Sequence, residues 1–482
     1  MGSRASSSGV GAMPVCPYCS APIEGQPIAL DADLSCAACG RQLPEQRRAD
    51  HPASSPSHLP VLAAAGKLWT VADQAVISAT NFVTMLLLAR QLTPSAFGEF
   101  TLVYTGFLFA NILQNTLVSQ PMNVLGPAPA GAEYARYLSG TLFSQIIIMS
   151  IELLVCAALA ATAYARGWHI APLLLGVAPA VVAWQLQEFV RRALYVQDRL
   201  AGAFMNDLIA YGTQSVATLL LWRAGLLSGA LALYVLAGTS LLAVPVGIWQ
   251  IRASLGWPDL HAIRKNLELG RWLAGAAVLA WCSSLDMYLY VAVWIVGSSA
   301  AGELRVAILF FGPARVLSLP IASLLPIQFA RIRKNGDPAL RRAVGKAYML
   351  VVPVLGGYCL MVALTARPLL RLVGTAYESH PRILVLYAAA SFVTYLQMVL
   401  VAALTAKHLT RVIFIGTVVG AVFASSMAWP IIRELGAEGA LVGLLMTNLL
   451  VMLFLWRSYR GSTTSQPVQN RQMPDALGLS AS

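Results

Sequence analysis

The chain has 482 residues, 57% of them hydrophobic and only 11% charged, a balance that excludes an ordinary water-soluble globular protein of this length. Its formal net charge of +12 invites nucleic acid as a partner, but no module of basic residues interleaved with aromatics accompanies it, so that class is set aside. What remains is a chain whose core belongs in lipid.

Residues 1–12 are expected to be disordered, and 13–40 carry the strongest local motif. Cys16-Pro-Tyr-Cys19 and Cys36-Ala-Ala-Cys39 have the CxxC spacing of a four-cysteine zinc ribbon. Two thiolates two residues apart can grip one tetrahedral ion from a tight turn, and the sixteen residues between the pairs suffice for a short hairpin. Zinc is the expected cofactor, in a structural role because four cysteines leave no open coordination position; redox chemistry is the alternative. A segment this small needs the metal to fold. Its expected job is docking or stabilising rather than chemistry. Residues 41–60 read as a Pro- and Ser-rich linker.

From Lys67 to Trp456 runs a ladder of apolar stretches, each near the roughly 20 residues an α-helix needs to cross a bilayer. The expected spans lie near 67–90, 97–120, 137–163, 171–190, 200–222 and 226–250, then near 271–296, 303–328, 343–365, 382–405, 409–432 and 438–456. The fold class is therefore an all-α polytopic membrane protein of about twelve helices. It divides into a six-helix lobe over 61–250, a basic connection over 251–270 and a second six-helix lobe over 271–457, with 458–482 a disordered tail. Lys and Arg fall 24 to one side of such a ladder and 8 to the other, with Arg315 inside a span. The richer side is cytoplasmic, which places both termini there and brings the basic loops against anionic lipid headgroups. The first apolar segment follows some 60 polar residues, so no cleavable signal peptide is expected.

The halves echo one another. QLTPSAFGEF resembles IVGSSAAGEL, setting Gly98-Glu99 opposite Gly302-Glu303, and SGALALYVLAG from Ser228 resembles EGALVGLLMTN from Glu438. The offsets, 204 and 210 residues, point to duplication of a six-helix unit whose two copies share one orientation.

Several polar residues fall inside spans, where they are costly unless they face a cavity or a partner. Asp73, Ser78, Thr80, Asn81 and Thr84 occupy the first span, with Asp73, Thr80 and Thr84 close to one face; Asn111, Gln114, Asn115 and Ser119 occupy the second. The amides either contact a polar cargo or bond neighbouring helices. Arg315, midway along AILFFGPARVLSLP, should face a cavity, either to bind an anion or to pair with Asp286. Arg90 and Arg305, near span ends, read as snorkelling anchors. Among the intramembrane acids Asp73, Glu152, Asp207 and Asp286, the first choice for proton coupling is Asp286 and the second Asp73, with structural pairing the alternative for each. Glu188 beside Arg191 and Arg192 reads as an interfacial ion pair. Cys156, Cys282 and Cys359 read as small apolar fillers. No P-loop, nucleophile elbow or HExxH occurs, so no enzyme is expected.

The stretch KLWTVADQAVISATNFVTMLLLARQLTPSAFGEFTLVY, then NILQNTLVSQPM and FVRRALYVQDRLAGAFMNDL, resembles the oligosaccharide flippases among the polysaccharide exporters. Their superfamily also contains multidrug extrusion pumps and the peptidoglycan lipid-precursor flippase. The resemblance implies two lobes in a bacterial cytoplasmic membrane and alternating-access transfer of an isoprenoid diphosphate-linked glycan to the outer leaflet. On that expectation Arg315 meets the diphosphate, while Asn81, Asn111, Gln114 and Asn115 meet sugar. Ion-coupled multidrug extrusion and a membrane scaffold acting through the zinc ribbon are the alternatives.

Overall fold

A run of apolar residues in lipid has no water to satisfy its peptide groups, so it closes its hydrogen bonds internally and becomes helix. The computed structural model describes residues 60–129 and 131–461, and among these every regular element is helical. The zinc-ribbon cysteines, the 41–59 part of the linker and the tail from 462 lie outside the described residues. All contacts below fall within the unit that begins at Gly66.

The first half contains α1 (Pro60–Gln91), α2 (Pro94–Leu125), α3 (Gly131–Ala165), α4 (Ala171–Val196), α5 (Leu200–Asp207 continuing to Thr213–Arg223) and α6 (Gly229–Ile251). The second contains α7 (Leu260–Cys282), α8 (Leu285–Ile295), α9 (Ser298–Leu309), α10 (Gly312–Arg333), α11 (Asp337–Leu364), α12 (Ala366–Val373), α13 (Pro381–Ala406) and α14 (Thr410–Gly461). Among the described residues nine helices are long and apolar enough to cross a membrane, or ten if the bent pair α7 and α8 makes one span.

Local chemistry marks the starts and interruptions. Thr93 caps α2 by accepting from the Ala96 amide at 3.3 Å, and Pro94 occupies the first turn, where its missing N–H is harmless. Within α2 a π turn spans Asn115–Ser119; Pro121 cannot donate back to Leu117, and the ladder widens just before it. Pro353 stands in another such turn, Val352–Gly356, inside α11.

The structure moves several expected boundaries. The connection drawn over 251–270 is mostly helix: Asp259 caps α7 through the His261 amide, and α7 is helical eleven residues before the expected start. The seventh expected span is not one rod but breaks at Ser283–Ser284 and bends by 49°, because Ser284 caps a fresh helix through the Asp286 amide. The eighth breaks before Gly312, where Pro313 follows. The last two run together as α14, interrupted only at Gly436, whose φ of 63° suits a residue without Cβ.

The internal echo has a physical counterpart. Gly98 and Gly302 sit where α2 crosses α9, and a Cβ on Gly98 would collide with the Ser298 carbonyl oxygen. One on Gly302 would lie 2.5 Å from the Pro94 carbonyl oxygen. Pro94 and Ser298 are themselves equivalent at the 204-residue offset, so the contact is reciprocal, as at a two-fold interface. Beside it the Ser95 and Ser298 hydroxyls share a 2.7 Å hydrogen bond. Asp198 and His408, equivalent at the 210-residue offset, both turn the chain with left-handed φ, 57° and 59°.

Candidate functional site: a cavity between the halves

Helical periodicity aims polar stripes of both halves into one cavity of about 660 Å³. From α1 come Gln74, Ser78, Asn81 and Thr84, three or four residues apart and so on one face. From α2 come Phe100, Tyr104, Phe107, Asn111 and Asn115 at the same spacing, and α4 and α5 add Trp184, Arg191, Tyr211 and Gln214. The opposite wall holds Asp286 on α8, Arg305 on α9 and Arg315 on α10.

The aromatic members form a continuous surface. Phe100, Tyr104 and Phe107 stack in sequence along α2, with centroids 5.5 and 5.4 Å apart, and Phe107 meets Trp184 edge-on at 5.6 Å. Arg305 lies over Tyr104, its Cζ 5.1 Å from the ring centroid. Among the described residues neither Arg305 nor Arg315 makes an ion pair within 4 Å, although Asp286 lies in the electrostatic field of both. Thr84 Oγ1 and Asn111 Oδ1 are buried at the cavity wall without hydrogen-bond partners.

Thus Arg315, Asn81, Asn111, Asn115 and Asp286 meet at one cavity, and Arg305, read from sequence as a lipid-facing anchor, joins them. Its stripe, Arg305, Ile308, Gly312, Arg315 and Leu319, has helical spacing, but the break before Gly312 interrupts the helix that would have revealed it. Arg90, the other expected anchor, instead donates from Nε and Nη2 to the Leu372 carbonyl at 2.8 and 2.5 Å, tying α1 to the end of α12.

Two expected site residues lie away from the lining. Gln114 is buried and donates to Gln145 Oε1 at 3.1 Å and Ser119 Oγ at 3.2 Å; Gln145 donates to Gln185, and Gln185 to Glu152. Its position in the chain, one residue from Asn115, does not separate it from the cavity amides; the helix rotation does. Asp73 is buried and accepts from Tyr195 Oη. Asp207 accepts from Gln187 at 2.5 Å and from Arg191 at 3.1 Å, and Glu188 pairs with both Arg191 and Arg192. Arg191 therefore reaches the cavity already neutralised. Its partner Asp207 sits on another helix, beyond what local spacing in the sequence reports.

Among the described residues no cluster of His, Cys, Asp and Glu is arranged to hold a metal ion, and Cys156, Cys282 and Cys359 are unbridged thiols.

No protein-family model and no curated protein sequence matches the chain. Solved structures do. Lipid II flippase MurJ in an inward closed conformation aligns with a TM-score of 0.63 and 14% identity over 82% of this chain and 87% of that one. An inward-facing multidrug resistance MATE family transporter of the MOP superfamily aligns with the same score and identity over 81% of this chain and 96% of that one. A MOP superfamily transporter from Pyrococcus furiosus, described as having a binding pocket of reverse polarity, aligns with a TM-score of 0.53 and 13% identity over 82% and 94%. The chain thus shares the fold of these transporters, which by itself does not choose a cargo.

Proposed function

We propose that this protein is a flippase of the bacterial cytoplasmic membrane that carries an isoprenoid diphosphate-linked oligosaccharide across the bilayer by alternating access, for cell-surface polysaccharide synthesis. The observation that carries the reading is the pair Arg305 and Arg315, two guanidinium groups that, among the described residues, make no ion pair within 4 Å and that face a cavity also lined by amide, aromatic and aliphatic side chains. Guanidinium groups bind phosphate oxygens through charge-assisted hydrogen bonds, stronger still in a site of low dielectric. The neighbouring amides suit sugar hydroxyls.

In this reading α1 to α6, α7 with α8, α9 with α10, α11, α13 and the two limbs of α14 make twelve crossings, six in each lobe. Both termini are cytoplasmic. The Gly98–Gly302 crossing and the Arg90 clasp then close the external end, and rocking one lobe against the other opens it. Asp286, in the field of the same guanidinium groups, is the proposed coupling acid: protonated, it leaves them to the diphosphate; ionised, it competes for them. Asp73, buried on α1 and accepting from Tyr195 Oη, is the second candidate. The N-terminal cysteines bind structural zinc and dock a cytoplasmic polysaccharide-assembly protein.

Multidrug extrusion is the competing function, favoured by the MATE neighbours and by the aromatic wall. It fits less well, since a cationic drug would meet two unneutralised guanidinium groups. Transbilayer movement of a fluorescent isoprenoid diphosphate-linked sugar in liposomes separates the two. Movement lost in Arg315→Ala and Arg305→Ala supports the flippase; movement of cationic dyes alone refutes it.

A further inference from the structure

Charge is divided unequally across the cavity. On the second-half wall Arg305 and Arg315 stand with Asp286, a formal surplus of one positive charge with the carboxyl ionised and two with it protonated, no more than the roughly two negative charges of a diphosphate at neutral pH. On the first-half wall the only cation is Arg191, and Glu188 and Asp207 both bind it. With Asp73 and Arg192 included, the cluster behind that wall counts three carboxyl groups against two guanidinium groups. Everything else the first half offers the cavity is uncharged.

We propose that the first-half wall is a saccharide subsite selective for uncharged sugars, and that the diphosphate occupies the second-half wall. This inference rests on the flippase reading and narrows its cargo. Phe100 and Phe107 are buried beneath this wall, and Tyr104 and Trp184, partly exposed, are the rings that can meet the apolar C–H faces of a pyranose. Asn81, Asn111 and Gln214 line the same cavity with amide groups. The partnerless Asn111 Oδ1 and Thr84 Oγ1 are unmet hydrogen-bonding groups that sugar hydroxyls would satisfy. A sugar carboxylate has no such welcome. Once the diphosphate has taken Arg305 and Arg315, no cation is left for it, and it would lie desolvated beside a cluster with excess carboxyl groups.

The test uses the full chain in liposomes and two fluorescent isoprenoid diphosphate lipids of equal length, one carrying a neutral hexose–N-acetylhexosamine pair and the other the same pair with the hexose oxidised to a uronic acid. The neutral lipid should cross about tenfold faster or more. Asn111→Lys, which adds the missing cation, should narrow or reverse that ratio, while Asn111→Gln, keeping the amide, controls for folding. Equal rates for both lipids, or a ratio unmoved by Asn111→Lys in protein that folds, would overturn the uncharged-sugar subsite and leave the flippase standing. If correctly inserted protein moves neither lipid, the flippase reading fails, and this inference fails with it.

Discussion

The two halves share a plan but bury opposite chemistry. The interior of the first half holds two polar networks, Gln114, Gln145 and Gln185 in a chain to Glu152, and Glu188, Asp207, Gln187 and Asn206 about Arg191, with Asp73 bonded to Tyr195. At the 210-residue offset, Arg191, Glu188 and Asp207 correspond to Val401, Met398 and Thr417, and the buried neighbours there are Val399, Leu400, Ala402, Ala403 and Leu404. The difference teaches how one scaffold divides labour. A polar network in low dielectric has few acceptable arrangements and resists deformation. An apolar interior repacks at small cost, and the second half also carries the helix breaks at Ser283–Ser284, before Gly312 and at Gly436. The ion-paired buried carboxyls thus sit in the first half, and the guanidinium groups without carboxylate partners on the segmented second one.

The comparison can be broken first where the halves touch. Gly98→Leu drives a side chain into the Ser298 carbonyl and should cost about 3 kcal/mol or more. Gly275→Leu, which meets open space, should cost far less. Thermal unfolding in detergent decides, and equal melting temperatures would mean that the crossing is not tight. Next come two swaps that roughly conserve volume in matched interiors. Arg191→Met strands Glu188 and Asp207 and should lose about 3 kcal/mol, whereas Leu400→Met should lose about 1 kcal/mol or less. Similar losses would erase the contrast between a rigid and a plastic half.

Transport sharpens it further. Arg315→Ala and Arg305→Ala should each slow movement of the diphosphate-linked lipid about 10- to 100-fold, the worth of a charge-assisted contact. Unchanged rates would remove the second half from cargo recognition. Asp73→Asn imitates a carboxyl that never releases its proton, so downhill movement should persist while its response to an imposed pH gradient weakens. Full retention of that response would leave coupling to Asp286 alone. The smallest effect on transport should follow Cys16→Ser with Cys19→Ser: zinc, about one per wild-type chain, should be lost with liposome transport intact. A wild-type chain without zinc would dismiss the ribbon.

How much of this was legible in the sequence follows from the range of each interaction. The apolar ladder, the α1 and α2 stripes and the Gly98/Gly302 echo are local patterns, fixed by the 3.6-residue period and by the need of backbone groups in lipid to bond internally. They name Asn81, Asn111, Asn115 and Arg315 directly from spacing. Gln114, Arg305 and Arg191 needed tertiary structure. Gln114 is set apart by how α2 is rotated against α3, Arg305 by a break that hides its stripe, and Arg191 by the distant Asp207. Sequence alone determined that this chain lives in a membrane, repeats itself and carries unusual polar groups within its spans. Only the packing of helices decided which of those groups are neutralised by one another and which stand open in the cavity, because charge pairing depends on distances of a few ångströms between segments far apart in the chain.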